Sequence, residues 1–133
     1  MAVEIFAPGT IIIPMDQTYQ NNGMFVAYGL VYDLLLNNIP VKWAIQTGKA
    51  YNGIDFTASA VDYVTSAPIV AHNYTGGPFI IDSAFAAAAQ PIINTWVLTK
   101  YPFPPATATT PAIRVHVAGP GPFSADIAAT MTK

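Results

Sequence analysis

The residues best placed to do chemistry fall in short stretches that end alike. Residues 11–16 read IIIPMD and residues 78–83 read PFIIDS, so one apolar run closes on Asp16 and the other on Asp82. If both runs are strands of one parallel sheet, Asp16 and Asp82 emerge at the same edge, with Thr18, Gln20 and Ser83 beside them. Paired carboxylates among hydroxyl and amide groups can coordinate a hard cation or hold a sugar or an amine. Each Asp can equally serve the backbone, Asp82 as a helix N-cap and Asp16 as a loop cap. A third stretch, HNYTGGPF at residues 72–79, has the make-up of a ligand loop. Gly76 and Gly77 allow close backbone approach, while His72 and Tyr74 offer a base and a hydrogen-bonding ring. Two glycines before a strand also serve as a plain tight turn.

Other chemistries lack their residues. Without cysteine there is no disulfide, thiolate nucleophile, Cys–zinc site or iron–sulfur cluster. The two histidines, His72 and His116, lack the spacing of a zinc site. His116 alternates with apolar neighbours in RVHV and reads as a strand histidine on the less buried face. Gly48-Lys49 stands without the rest of a phosphate loop, and neither GxGxxG nor GxSxG occurs. No catalytic residue, metal or cofactor is assigned, and the chain leans away from being an enzyme.

These residues need elements to hold them. Continuous apolar runs at residues 10–14, 41–45 and 78–81 suit strands buried on both faces. Between the first two, GMFVAYGLVYDLLLNN predicts a helix over residues 24–37, closed by Asn37 and Asn38. Ala27, Leu30, Val31, Leu34 and Leu35 sit at core spacing, yet Phe25, Tyr28, Tyr32 and Leu36 make the opposite face apolar too. A helix apolar all round is buried all round, so this second stripe is a candidate interface. Strand, helix and strand in succession predict a β-α-β unit, hence an α/β fold with a mostly parallel sheet. The strand order is 2-1-3-4, with residues 41–45, 10–14, 78–81 and 113–117 side by side. Further extended segments are read at residues 4–6, 60–64 and 67–72. A second helix starts at Asp82 or Ser83 and is kinked or restarted by Pro91. Residues 102–111, PFPPATATTP, form a Pro-rich loop, and residues 123–133 are weakly structured.

Composition bounds the setting. The chain has 133 residues, one domain's worth, of which 53% are hydrophobic and only 9% charged, against about 25% charged in ordinary domains. A net charge of −2 without a basic cluster argues against a nucleic-acid partner. No apolar run approaches the roughly 18 residues of a membrane span, and MAVEIFAPG lacks the features of a signal peptide. A surface so poor in charge belongs outside the cell or under partners, with a cytoplasmic setting as the plainer alternative.

At TIIIPMDQTYQ, AYGLVYDLLLNNIPVKWAI and GGPFIIDSA the chain resembles Rossmann-like domains of the flavodoxin-like and class I glutamine-amidotransferase-like kind. It also looks, more loosely, like N-terminal modules of large secreted bacterial proteins. The resemblance covers residues 10–118 and implies a three-layer α/β domain. The amidotransferase nucleophile is a cysteine, so that activity does not carry over, and fold likeness alone gives no function. The expectation is a single α/β domain over residues 1–133, taken from a larger surface protein. It would act without catalysis, by self-assembly or by docking onto neighbouring domains. The alternative is a small-molecule binding domain or hydrolase using the Asp16/Asp82 edge and the loop from His72 to Gly77.

Overall fold

Among the described residues, eight strands build one sheet, and every pairing between them is antiparallel. The computed structural model describes residues 2–16, 20, 24–46, 48, 53–101 and 113–132; the Pro-rich tract lies outside them. The strands are β1 (Ala2–Phe6), β2 (Ile11–Ile13), β3 (Val41–Ala44), β4 (Phe56–Asp62), β5 (Pro68–Tyr74), β6 (Phe79–Ile81), β7 (His116–Ala118) and β8 (Phe123–Met131). Their spatial order is β1-β8-β3-β6-β2-β7-β4-β5. Helix α1 (Met24–Leu36) lies between β2 and β3, and α2 (Ala86–Asn94) follows β6 through a short 3-10 turn.

This overturns the parallel, Rossmann-like three-layer reading and with it the order 2-1-3-4. The four runs expected at the sheet centre are there, but β6 stands between β3 and β2, and both pairings are antiparallel. Burial on both faces was read correctly for residues 11–13 and 79–81 but not for β3, where Lys42 is half-buried and Trp43 exposed, and direction was not read correctly at all. Ile11, Ile13, Phe79 and Ile81 face the helices, while Ile12 and Ile80 face the other side, and all six are buried. Burial on both faces is the usual mark of a parallel strand. Here an antiparallel sheet achieves it because helices cover one face and the sheet curls over the other.

The curl is held by aromatic rings. Phe6 and Phe123 pair across β1 and β8 with ring centroids 5.3 Å apart. At the far end of the sheet, Phe56 and Tyr74 pair across β4 and β5 at 4.8 Å. The two pairs then meet, Phe56 stacking on Phe123 at 5.0 Å. Opposite ends of one sheet are thus in contact, and the sheet is a curled half-barrel. Strand β8 falls in the segment expected to be weakly structured. Its nine residues are mostly Ala, Ser and Thr, yet Phe123, Ala125 and Ile127 alternate inward to complete this concave core.

Helix α1 forms where expected and stops for a local reason. Asn38 takes the left-handed conformation (φ 62°), and the Ile39 amide donates back to the Leu34 carbonyl, a common helix C-terminal closure. Ala27, Leu30, Val31 and Leu34 are buried against the sheet. Gly29 lets α1 approach the second helical segment: a Cβ there would lie 2.8 Å from the Trp96 ring. Helix α2 runs through Pro91 and widens at Thr95–Lys100 into a π turn. Truncating Leu30 or Leu34 to Ala is expected to cost about 2–5 kcal/mol each, read from urea midpoints. Phe56→Ala and Phe123→Ala should each cost about 3–5 kcal/mol. Their double mutant should cost less than the sum, because the rings lean on each other.

Candidate functional site

Antiparallel pairing separates the two aspartates that a parallel sheet would have joined. Ile13 pairs with Phe79 and Ile11 with Ile81, so Asp16 follows one end of this pair and Asp82 follows the other. Asp82 accepts the Ala84 amide at 3.1 Å and caps the 3-10 turn Ser83–Phe85. Ser83 sits beside Gly9, ahead of β2. Neither joins Asp16. Thr18 lies outside the described residues.

What gathers around Asp16 is a different set, on the concave side. His72 Nε2 lies 3.0 Å from Asp16 Oδ2. The His72 ring stands edge-on to Tyr74, centroids 4.7 Å apart, and the Tyr74 hydroxyl lies 2.7 Å from His116 Nδ1. His116 is opposite Asp62 in the β7–β4 pairing. Asp62 Oδ1 accepts Arg114 Nε at 3.0 Å and Nη2 at 2.9 Å. Its Oδ2 accepts the backbone amides of Val64 and Thr65 and the Thr65 hydroxyl. Gln20 clamps the Arg114 backbone, donating to its carbonyl at 2.9 Å and accepting its amide at 3.0 Å. Of the sequence candidates, Asp16, Gln20, His72 and Tyr74 therefore belong to one network.

The two glycines do different jobs. A Cβ on Gly76 (φ 77°) would come 2.9 Å from the Met15 carbonyl oxygen, so glycine lets this loop lie against the segment leading to Asp16. Gly77 instead anchors the other flank: its carbonyl accepts Trp43 Nε1 at 2.9 Å and its amide donates to Asp55 Oδ2 at 2.8 Å. Gly77 is part of a scaffold, not of the cluster.

Asp62 and Arg114 escaped the sequence reading, which took His116 only as a strand histidine. The expectation that His116 occupies the less buried face is wrong; it is fully buried. A signal was available, since Arg114 and His116 are two apart and so share a strand face. Burial pushes the His116 imidazole down to about 4, with Arg114 and His72 acting in the same direction and Asp62 opposing them. Asp62 goes the other way from what burial alone dictates. Burial works to raise it, but the Thr65 amide, the Arg114 guanidinium and the Val64 amide outweigh that and hold the carboxyl below its ordinary value.

Chemically the network faces inward. Asp16, Gln20, Asp62, Tyr74 and His116 are buried, and only the side chains of His72 and Arg114 keep a fifth or so of their surface in water, 19% and 17%. A groove of about 370 Å³ lined by Val61, Tyr63, Gln90, Asn94 and Leu98 runs past Asp62. Among the described residues, no three His, Cys, Asp or Glu side chains are grouped to hold a metal ion. The proposed interface residues are placed elsewhere, on the outward side of α1: Phe25 is 87% exposed, Tyr28 49%, Tyr32 64% and Leu36 45%. Comparison with protein-family models, curated proteins and solved structures finds no match to this chain.

The network makes stability depend on pH in a defined direction. His116 binds its proton near 6.5 in the unfolded chain and only near 4 in the fold, so between those values the unfolded state holds more protons. Stability is full above about pH 6.5 and should fall by about 3 kcal/mol as pH drops to 4. Asp62 adds a further loss below its unfolded value of 3.8. Urea melts across this range check it: His116→Asn should be weaker at pH 7 and show a flatter dependence between pH 6.5 and 4.

Proposed function

We propose that this chain is a non-enzymatic module of an extracellular or cell-surface protein, acting by association with itself or with adjoining domains through the outward stripe of α1. The observation that carries this reading is the exposure of Phe25, Tyr28, Tyr32 and Leu36 on a helix whose opposite side is fully buried. Spacings of three, four and four residues align them on one face. Aromatic side chains bury about 150–250 Å² each, so the four residues offer roughly 500 Å² per side. A standard interface buries about 800 Å² per partner, and the stripe supplies more than half of that.

The surroundings favour a dry contact. Asp33, the charged residue within α1, accepts Trp96 Nε1 at 2.9 Å and a bond from Asn37, so its carboxylate is engaged at the flank of the helix. Charge is scarce along the whole chain, at 9% of residues, leaving little repulsion between copies. No helix among the described residues is long and apolar enough to cross a membrane. The alternative, small-molecule binding or hydrolysis at a shared Asp16/Asp82 edge and the loop from His72 to Gly77, keeps Asp16, His72 and Tyr74 together but loses Asp82 from the group. Asp82 is spent on a helix cap.

Sedimentation at rising concentration tests the proposal. The wild type should self-associate, and Tyr28→Glu/Tyr32→Glu should weaken association at least about 100-fold, since each buried carboxylate would lack a partner. A wild type that stays monomeric to about 1 mM, a free energy near −4 kcal/mol, overturns self-association as its function.

A further inference from the structure

Among the described residues the sheet ends in two edge strands, β1 and β5, and they are built differently. Natural edge strands are blunted by proline, bulges and inward charges that discourage pairing with another chain. β5 carries such devices. It opens with Pro68, its register with β4 shifts between Ala58 and Ala60, and Ala71 takes a left-handed conformation (φ 47°). β1 has none that works. It pairs with β8 in unbroken register over all five residues and contains no proline. Its one charge, Glu4, is on the concave side and is neutralised by an ion pair with Lys42 of the same sheet. Its outward residues are apolar and lie in water, Val3 67% and Ile5 76% exposed.

We infer that the free edge of β1 pairs with β1 of a second copy, antiparallel, about a two-fold axis at Glu4. The strand is self-complementary in that register. Val3 of each copy falls opposite Ile5 of the other, so four β-branched side chains form one cluster on the outer face, the kind of cross-strand pair that stabilises sheets. The two Glu4 side chains meet on the inner face, each already paired to its own Lys42. Residues with charges outward would forbid this register; Val3 and Ile5 favour it.

This edge is independent of the α1 stripe, and together they have a consequence. A two-fold contact used alone closes a dimer. A chain with two different two-fold contacts can extend from copy to copy, so the assembly grows beyond a dimer.

Val3→Lys/Ile5→Lys and Val3→Glu/Ile5→Glu variants test the edge, since both change exposed side chains and leave the core intact. In sedimentation the wild type should form species larger than a dimer. Each charge variant alone should stop at the dimer held by α1, and mixing the two should restore the larger species through Lys–Glu pairing. Adding Tyr28→Glu/Tyr32→Glu to the Lys variant should leave a monomer. Charge variants that sediment as the wild type does, or an equimolar mixture that restores nothing, overturn the β1 pairing whatever the stripe does. If the stripe reading alone fails, the Tyr variant behaves as wild type while the charge variants become monomeric.

Discussion

Everything in this fold depends on a stack of four aromatic rings that joins the two ends of one sheet. Phe6 and Phe123 sit at one end, Phe56 and Tyr74 at the other, and the Phe56–Phe123 contact at 5.0 Å closes the curl. Such pairs add about 0.5–1.5 kcal/mol each beyond the area they bury. Their geometric effect is larger than their energy. With the ends held together, the concave face becomes an interior, and Ile12, Ile80, Ala118 and Ile127 become core residues instead of one wet side of an open sheet.

The same closure accounts for the polar network. Tyr74 is the last ring of the stack and the first member of the hydrogen-bonded chain, touching His116 through its hydroxyl and His72 through its ring. A buried polar group is costly unless paired, and here the pairing runs between distant segments: β5 to β7, β7 to Asp62, and Asp16 to His72. A network of that kind specifies one arrangement of the strands, because any register slip would strand a carboxylate or an imidazole away from water. It explains the presence of His, Asp and Arg in the interior of a chain that has few of them, without invoking catalysis.

The outer surface follows from how little the helices cover. Two helices suffice for the centre of the outer face, where β2 and β6 lie. They leave the β1 end of the sheet bare and turn one apolar side of α1 to solvent. Exposed apolar residues are grouped on α1 and β1, at Phe25, Tyr28, Tyr32, Leu36, Val3 and Ile5, while Trp43, Ile54, Val70, Phe85 and Leu98 are exposed elsewhere. Grouping of that sort is the mark of a contact surface.

Sequence by itself determined what local pattern can determine. Apolar runs marked the double burial of residues 11–13 and 79–81, the 3.6-residue pattern marked α1 and its two faces, and Asn38 marked its end. Asp82 was readable as a cap because a cap needs only the next two residues. Strand direction was not readable: a buried Ile-Ile-Ile is the same string in a parallel or an antiparallel sheet, and both arrangements cover both faces. Nor was β8, since Ala, Ser and Thr become a strand only when Phe6 and Phe56 are there to receive Phe123. The meeting of Asp16 with His72, and of Asp62 with Arg114 and His116, was settled by the tertiary structure alone. Those contacts span 56 and 52 residues along the chain in the two ion pairs, and no local signal reports which distant partner will neutralise a buried charge.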